Sequence, residues 1–210
     1  NLVRAPMKKQ IEIIISIPIH EKAEVACDQA DNIKKYVSNA VIIFHISKLY
    51  KDVGRIELLR QKENAVINPV RLETAWGDIT ETHLCNFLYA KENYHFKYFL
   101  LHSSNDMYVR KGVENYIFKY KAGFHFREID EQNSYWTVAH AAREDSLLSR
   151  IADGGLKYAS QVEGSFYAFD IMDEIAAILQ RYMPFEKPKE AYPREELFFS
   201  TPAAGLLERE

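Results

Sequence analysis

The residues best placed to do chemistry stand at 103–106, Ser-Ser-Asn-Asp, directly after the apolar run Tyr98–Leu101. A short continuous apolar run fits a strand covered on both faces, and the polar residues that stop it favour a turn. Open α/β sheets bind ligands beyond the carboxyl ends of such strands. Asp106, bracketed there by hydroxyl and amide groups, has the chemistry to hold a hard cation and, through it, a phosphorylated ligand. The same pattern also suits a plain strand-to-loop turn.

Other candidates lie further away. Glu195 and Glu196 follow Pro193-Arg194 at a predicted helix start, where a solvated acid is equally at home. Asp78 follows Trp76-Gly77, and with Glu81 three residues later it reads as a capping box. The seven histidines (His20, His45, His83, His95, His102, His125 and His140) show no zinc-ligand spacing. The chain has no GxGxxG, no P-loop and no Gly-x-Ser-x-Gly.

The elements that must position these groups alternate. Residues 10–17 (QIEIIISI) read as a central strand broken by Pro18. A helix follows over 22–37, with Ala26, Ala30, Ile33 and Val37 on one face, then a second buried strand over 40–46. Strand, helix, strand at this spacing is a βαβ unit with a right-handed crossover. A short helix around 55–61, a brief strand at 65–67 and a helix opening at Asp78 lead to the run at 98–101. That makes four parallel strands. The second half reads as a helix over 112–122 ended by Gly123 and a loop or short strand over 124–135. A helix over 136–152, a strand over 165–169 and a helix capped by Asp170 follow. A loop with three prolines covers 183–193, and a short helix lies near 194–200.

With 210 residues, 47% hydrophobic and 13% aromatic, the chain can build one sizeable core. A net charge of -3 leaves no electrostatic footprint for nucleic acid, and no run approaches the length of a membrane span. Cys27 and Cys85, both on predicted helices, read as small core residues in a reducing compartment, with one disulfide as the alternative. The chain opens on Asn1, which fits a piece of a longer protein with further domains.

Five stretches in order resemble glycosyltransferases of the GT-A fold, and most closely the core-2/I-branching N-acetylglucosaminyltransferase and xylosyltransferase group, glycosyltransferase family 14. They are Ile17-Pro18-Ile19-His20, Trp76-Gly77-Asp78 and Ser103-Ser104-Asn105-Asp106, then Gly164-Ser165-Phe166-Tyr167-Ala168-Phe169, and Pro193-Arg194-Glu195 before Phe198-Phe199. The match spans roughly residues 11–200. A looser resemblance, to chlorovirus glycosyltransferases acting on capsid protein, implies a viral protein working in the host cytoplasm.

The resemblance implies a single α/β domain with a GT-A-like (Rossmann-like) mixed, mostly parallel sheet flanked by helices. Residues 1–110 would bind the nucleotide-sugar and 111–210 the acceptor. The activity would be inverting transfer of a hexose or deoxyhexose from a nucleotide diphosphate, UDP ahead of GDP, to a glycan hydroxyl. Glu195 would be the base, with Asp78 beside it. Pro18, Ile19, His20, Trp76, Gly77, Asp78, Ser103, Ser104 and Asn105 would hold the donor. Asp106 would hold Mn²⁺ or Mg²⁺, and Gly164, Ser165 and Tyr167 would line the acceptor side. The chain departs from the family at Ser104, where the pattern has glycine, and at Arg194, where it has Asp. Relatives that use basic side chains in place of a metal leave the cation open. A non-catalytic nucleotide-sugar or glycan-binding module and a sugar-1-phosphate nucleotidyltransferase are the alternatives.

Overall fold

The computed structural model describes residues 8–125, 127–129 and 139–208. Its main sheet has six strands among the described residues, in the order β4 (Ala65–Ile67), β3 (Ala40–Ile46), β2 (Ile13–Ile19), β6 (Tyr98–Leu101), β10 (Phe166–Ala168) and β7 (Ala122–Gly123). The first four are mutually parallel, and β10 runs against both its neighbours. Two short pairs complete the strands: β1 (Lys9–Gln10) with β5 (Tyr94–His95), and β8 (Arg127–Glu128) with β9 (Tyr158–Ala159). The fold is thus α/β with a mixed, mostly parallel sheet. Strand β2 leads to β3 on one side and meets β6 on the other, so the crevice between β2 and β6 is a topological switch point, where open sheets bind ligands.

Residue alternation along the strands sends side chains to two layers. Ile13, Ile15 and Ile17 pack with Phe44 and with Ala26, Ala30 and Ile33 of α1 (Ala23–Tyr36). Beside them lies α2 (Glu57–Arg60), which buries Leu59. On the other face Ile14, Ile43, Phe99 and Leu101 meet Leu84 and Phe87 of α3 (Thr80–Asn93) and Ile175 of α7 (Phe169–Gln180). Phe87 and Phe99 meet edge-to-face at 5.3 Å between centroids, and truncating either to Ala costs about 3–5 kcal/mol. The remaining helices are α4 (Val113–Ile117), α5 (Ala139–Glu144), α6 (Ser146–Ile151), α8 (Glu195–Phe198) and α9 (Ser200–Leu207).

Several expectations need correction. Pro18 does not break the first strand but lies inside β2. Ser16 accepts from the His102 amide on the β6 side, so by alternation the Pro18 backbone faces that side too. Pairing to β6 ends at Ser16–Leu101, and no ladder bond is asked of the missing N–H. Asp78 does not cap α3, which starts from Ile79 with no side-chain cap. The Asp78 amide instead closes a turn onto the Ala75 carbonyl, and Glu81 accepts from the Phe185 amide at 2.7 Å. Nor does Asp170 cap α7; it sits exposed in the first turn, where a negative charge suits the helix dipole.

The expected helix over 112–122 stops at Ile117, and Gly123 belongs to β7. A β-carbon there would fall 2.2 Å from the Phe166 ring, so the bare glycine is what lets that ring cross the strand. The expected helix over 136–152 is two helices, α5 and α6, divided at Asp145, whose Oδ1 accepts from the Leu147 and Leu148 amides. Its first residues, and part of the expected loop over 124–135, lie outside the described residues. Helix α9 was not foreseen. Cys27 and Cys85 are free thiols and only half-buried. Among the described residues no helix is long and apolar enough to cross a membrane.

Candidate functional site

Three groups of residues lie towards the carboxyl ends of the parallel strands. The first is a cleft of about 350 Å³ at the ends of β2 and β3, lined by His20, Lys22, Ser47, Tyr50, Lys51 and Thr74 among others. Backbone bonds stitch its wall. The Ser47 hydroxyl accepts from the Leu49 and Thr74 amides at 3.1 and 3.2 Å, and Arg71 donates to the Ser47 carbonyl at 2.6 Å. His45 Nε2 accepts from the Leu72 amide at 3.0 Å, which places the ring proton on Nδ1. Burial, helped by Arg71 and His20, lowers the His45 pKa to about 4. Pro18 and Ile19 are buried, and His20 is the member of that motif with an exposed side chain. The sequence did not single out Ser47, Arg71, Lys51 or Thr74; their residue types are common in loops, and only the fold collects them.

The second group is the 102–108 loop after β6. Asp106 accepts from the Ser103 amide at 3.0 Å with one oxygen and from the Ser103 hydroxyl at 3.1 Å with the other. His102 Nδ1 lies 3.5 Å from Asp106, and its Nε2 shares a hydrogen bond of 2.9 Å with the Tyr108 hydroxyl. Burial holds His102 near pKa 4 against the pull of Asp106. Ser104 is buried and Asn105 exposed. Helix α1 fastens this loop: Gln29 donates to the Ser103 and Asp106 carbonyls, and Asn32 pairs with the Tyr108 backbone. Gln29 could have been found from sequence, since a polar residue on the apolar stripe of α1 asks for a partner.

Among the described residues, no three His, Cys, Asp or Glu side chains form a metal-binding group. Asp106 is a single carboxylate, and both its oxygens are already turned towards Ser103.

The third group is acidic. Gly77 is left-handed at φ +75, and a β-carbon on it would lie 2.5 Å from the Tyr192 carbonyl oxygen, so Trp76-Gly77-Asp78 rests on the backbone before Glu195. The 160–165 turn joins the same region: the Ser160 amide donates to Glu196 O at 2.7 Å, and the Gly164 amide donates to Leu101 O at 3.0 Å. Glu195 is only 9% exposed, and its Oε2 has no hydrogen-bond partner among the described residues. Burial raises its pKa to about 7, with Glu196, Glu163 and Asp78 pushing the same way. Glu196 is likewise raised to about 7, by burial and by Glu163. It borders a second cleft, of about 310 Å³, with His125, Arg127, Ser160 and Gln161.

Glu195 is thus no solvated helix-start acid. Trp76 is 68% exposed, which sets aside a core role for it. Ser165 and Tyr167 are buried, so of the expected acceptor residues only Gly164 stands exposed. Glu163, beside it, was missed.

Beneath the site the α3 face of the sheet turns polar. The Ser16 hydroxyl accepts from Asn86 at 2.9 Å and bonds His83 Nδ1 at 2.8 Å, while Asn68 donates to Asn86 at 2.9 Å. His83 is fully buried, and burial lowers its pKa to about 3.

No protein-family model matches the chain, and no curated protein matches it.

Proposed function

We propose that the protein is a glycosyltransferase that moves a hexose or deoxyhexose from a nucleotide diphosphate, a UDP-sugar first, to a hydroxyl of a glycan acceptor. The observation that carries this reading is convergence. Ile17–His20 ends β2, Ser103–Asp106 follows β6, Gly164 donates to the Leu101 carbonyl at the end of β6, and Trp76-Gly77-Asp78 lies against the backbone before Glu195.

In this reading the nucleoside occupies the cleft at His20, Ser47 and Tyr50, and the diphosphate extends to the Ser103–Asp106 loop. Lys22 and Lys51, on the cleft wall, supply positive charge to it. Asp106 would hold a divalent cation, whose charge would offset that building on the leaving diphosphate. The acceptor lies between Trp76 and the 160–165 turn. Its hydroxyl oxygen attacks the anomeric carbon while the bond to the diphosphate oxygen breaks, and the electron pair leaves with the nucleoside diphosphate. Glu195 takes the hydroxyl proton. A carboxyl titrating near 7 is matched to general-base work at neutral pH. Asp78, freed from any capping duty, stands beside it as an orienting acceptor of hydrogen bonds.

Calorimetric titration with UDP, with Mn²⁺ and then with chelator, tests the donor half. The reading expects micromolar binding, followed by turnover of a UDP-sugar in a screen of saccharide acceptors. No binding of UDP or GDP under either condition would overturn it.

A further inference from the structure

Arg194 stands directly before Glu195, yet the charges that bear on Glu195 are acidic: Glu196 on its own helix, Glu163 from the 160–165 turn and Asp78 from the turn before α3. The guanidinium is committed elsewhere. Its Nε and Nη2 each reach Asp145 Oδ2 at 2.8 Å, and its Nη1 donates to the Glu186 carbonyl. The Tyr192 hydroxyl donates to the same Asp145 oxygen at 2.5 Å, and the guanidinium lies over the Phe198 ring at 5.1 Å. Arg194 and Asp145 are 5% and 6% exposed.

We propose that Asp145 is a positioning residue for Glu195: it holds the Arg194 guanidinium at the amino end of α6, so that the buried carboxyl next in sequence is left among acids. Two features carry this. All three guanidinium nitrogens are engaged on the α6 and 183–194 side, and buried Glu195 Oε2, with three other acids bearing on it, has no hydrogen-bond partner among the described residues. Asp145 is suited to the task because its two oxygens divide the work. Oδ1 caps α6 and fixes the carboxylate, and Oδ2 receives Arg194 and Tyr192. Arg194 is next to Glu195 in sequence, so a guanidinium released from Asp145 would carry its charge within a side chain's length of the Glu195 carboxyl. The residue where the family pattern has Asp thus becomes one half of a buried pair that keeps the base a base. The significance of the inference rests on the proposed role of Glu195, but the charge arrangement itself is tested without turnover.

The test is a ¹³C NMR titration of the Glu195 carboxyl in the full chain, its signal assigned by its loss in Glu195→Gln. Two variants are compared with the wild type: Asp145→Asn, which keeps a helix-capping oxygen, and Asp145→Asn/Arg194→Met, which removes both charges. An unbalanced cation within reach of a carboxyl lowers its pKa by about one unit or more. The expected result is therefore a midpoint lowered by about a unit or more in Asp145→Asn and restored to the wild-type value in the double variant. If the pair serves only as scaffold, the midpoint falls in the double variant as well, and the proposal is overturned. An unchanged midpoint in folded Asp145→Asn overturns it too. Should that variant fail to fold, Asp145→Ser makes the same charge change with the cap retained. The double variant, with no buried charge left unpaired, still decides against the proposal if its midpoint drops.

Discussion

Gly77 and the Tyr192 carbonyl are in contact across 115 positions of sequence, so close that a β-carbon on the glycine would sit 2.5 Å from the oxygen. This contact is what brings the turn carrying Trp76 and Asp78 to the segment that launches Glu195. Backbone against backbone leaves no flexible side chain to give way, and φ +75 disfavours every other residue type.

Gly77→Ala combines backbone strain with overpacking, and the expected cost is on the order of 3 kcal/mol. Urea unfolding checks this. A midpoint equal to wild type would show that the two segments are not held together as described.

Glu195 affects stability and activity in opposite directions. Its pKa is about 7 in the fold against an ordinary 4.5, so between those values the folded state holds a proton that the unfolded state has lost. Stability therefore falls as pH rises through that window, and the cost is fully present above pH 7. Glu195→Gln should be the more stable protein at pH 8, by on the order of 2 kcal/mol, with the gain vanishing towards pH 4.5. Sugar transfer should drop at least about a hundredfold in the same variant, and in the wild type it should rise with pH around a midpoint near 7. Thermal melts across pH, with initial rates, check both. A variant less stable than wild type at pH 8 would contradict the burial account.

The polar cluster under the site is expected to be intolerant of small losses. Ser16→Ala leaves His83 Nδ1 and one donor of Asn86 short of a buried partner, at a cost of about 2 kcal/mol. Chemical denaturation at pH 7 measures it, and a change below about 0.5 kcal/mol would argue against the network.

His83 has the sign opposite to Glu195. Its folded pKa of about 3 lies below the ordinary 6.5, so its contribution is present above 6.5 and is lost as pH falls towards 3. The stability difference between wild type and His83→Gln should shrink steadily from pH 7 to pH 4.5. A difference independent of pH would mean that the ring is not buried as found.

Trp76 at 68% exposure supports little of the fold. Trp76→Ala should change unfolding free energy by less than about 0.5 kcal/mol while weakening saccharide binding, because a bare indole offers a flat apolar face to a sugar ring. Titration calorimetry with candidate acceptors, beside a thermal melt, separates the two. Loss of stability with binding unchanged would reverse the assignment.

Much of the scaffold was legible in the chain. β-Branched runs at 10–17 and 40–46, the apolar stripe of α1 and the run at Tyr98–Leu101 announced parallel strands with helices on both faces, because burial on two sides requires continuous apolar sequence. The polar turn after Leu101 was legible for a similar reason, since short polar side chains compete with strand pairing. What the chain could not state were relations between distant residues. Asp78 read as a cap, and the turn set by Gly77 carries it elsewhere. Tyr167 was expected to line the acceptor side, and its strand turns it into the core. Arg194 read as a flaw in a motif, and Asp145, forty-nine positions away, makes it half of a buried pair. Local sequence sets dihedral preference and amphipathic period, which fix elements. Charge pairing, burial and the proton affinity of Glu195 depend on which elements touch, and that only the tertiary structure decided.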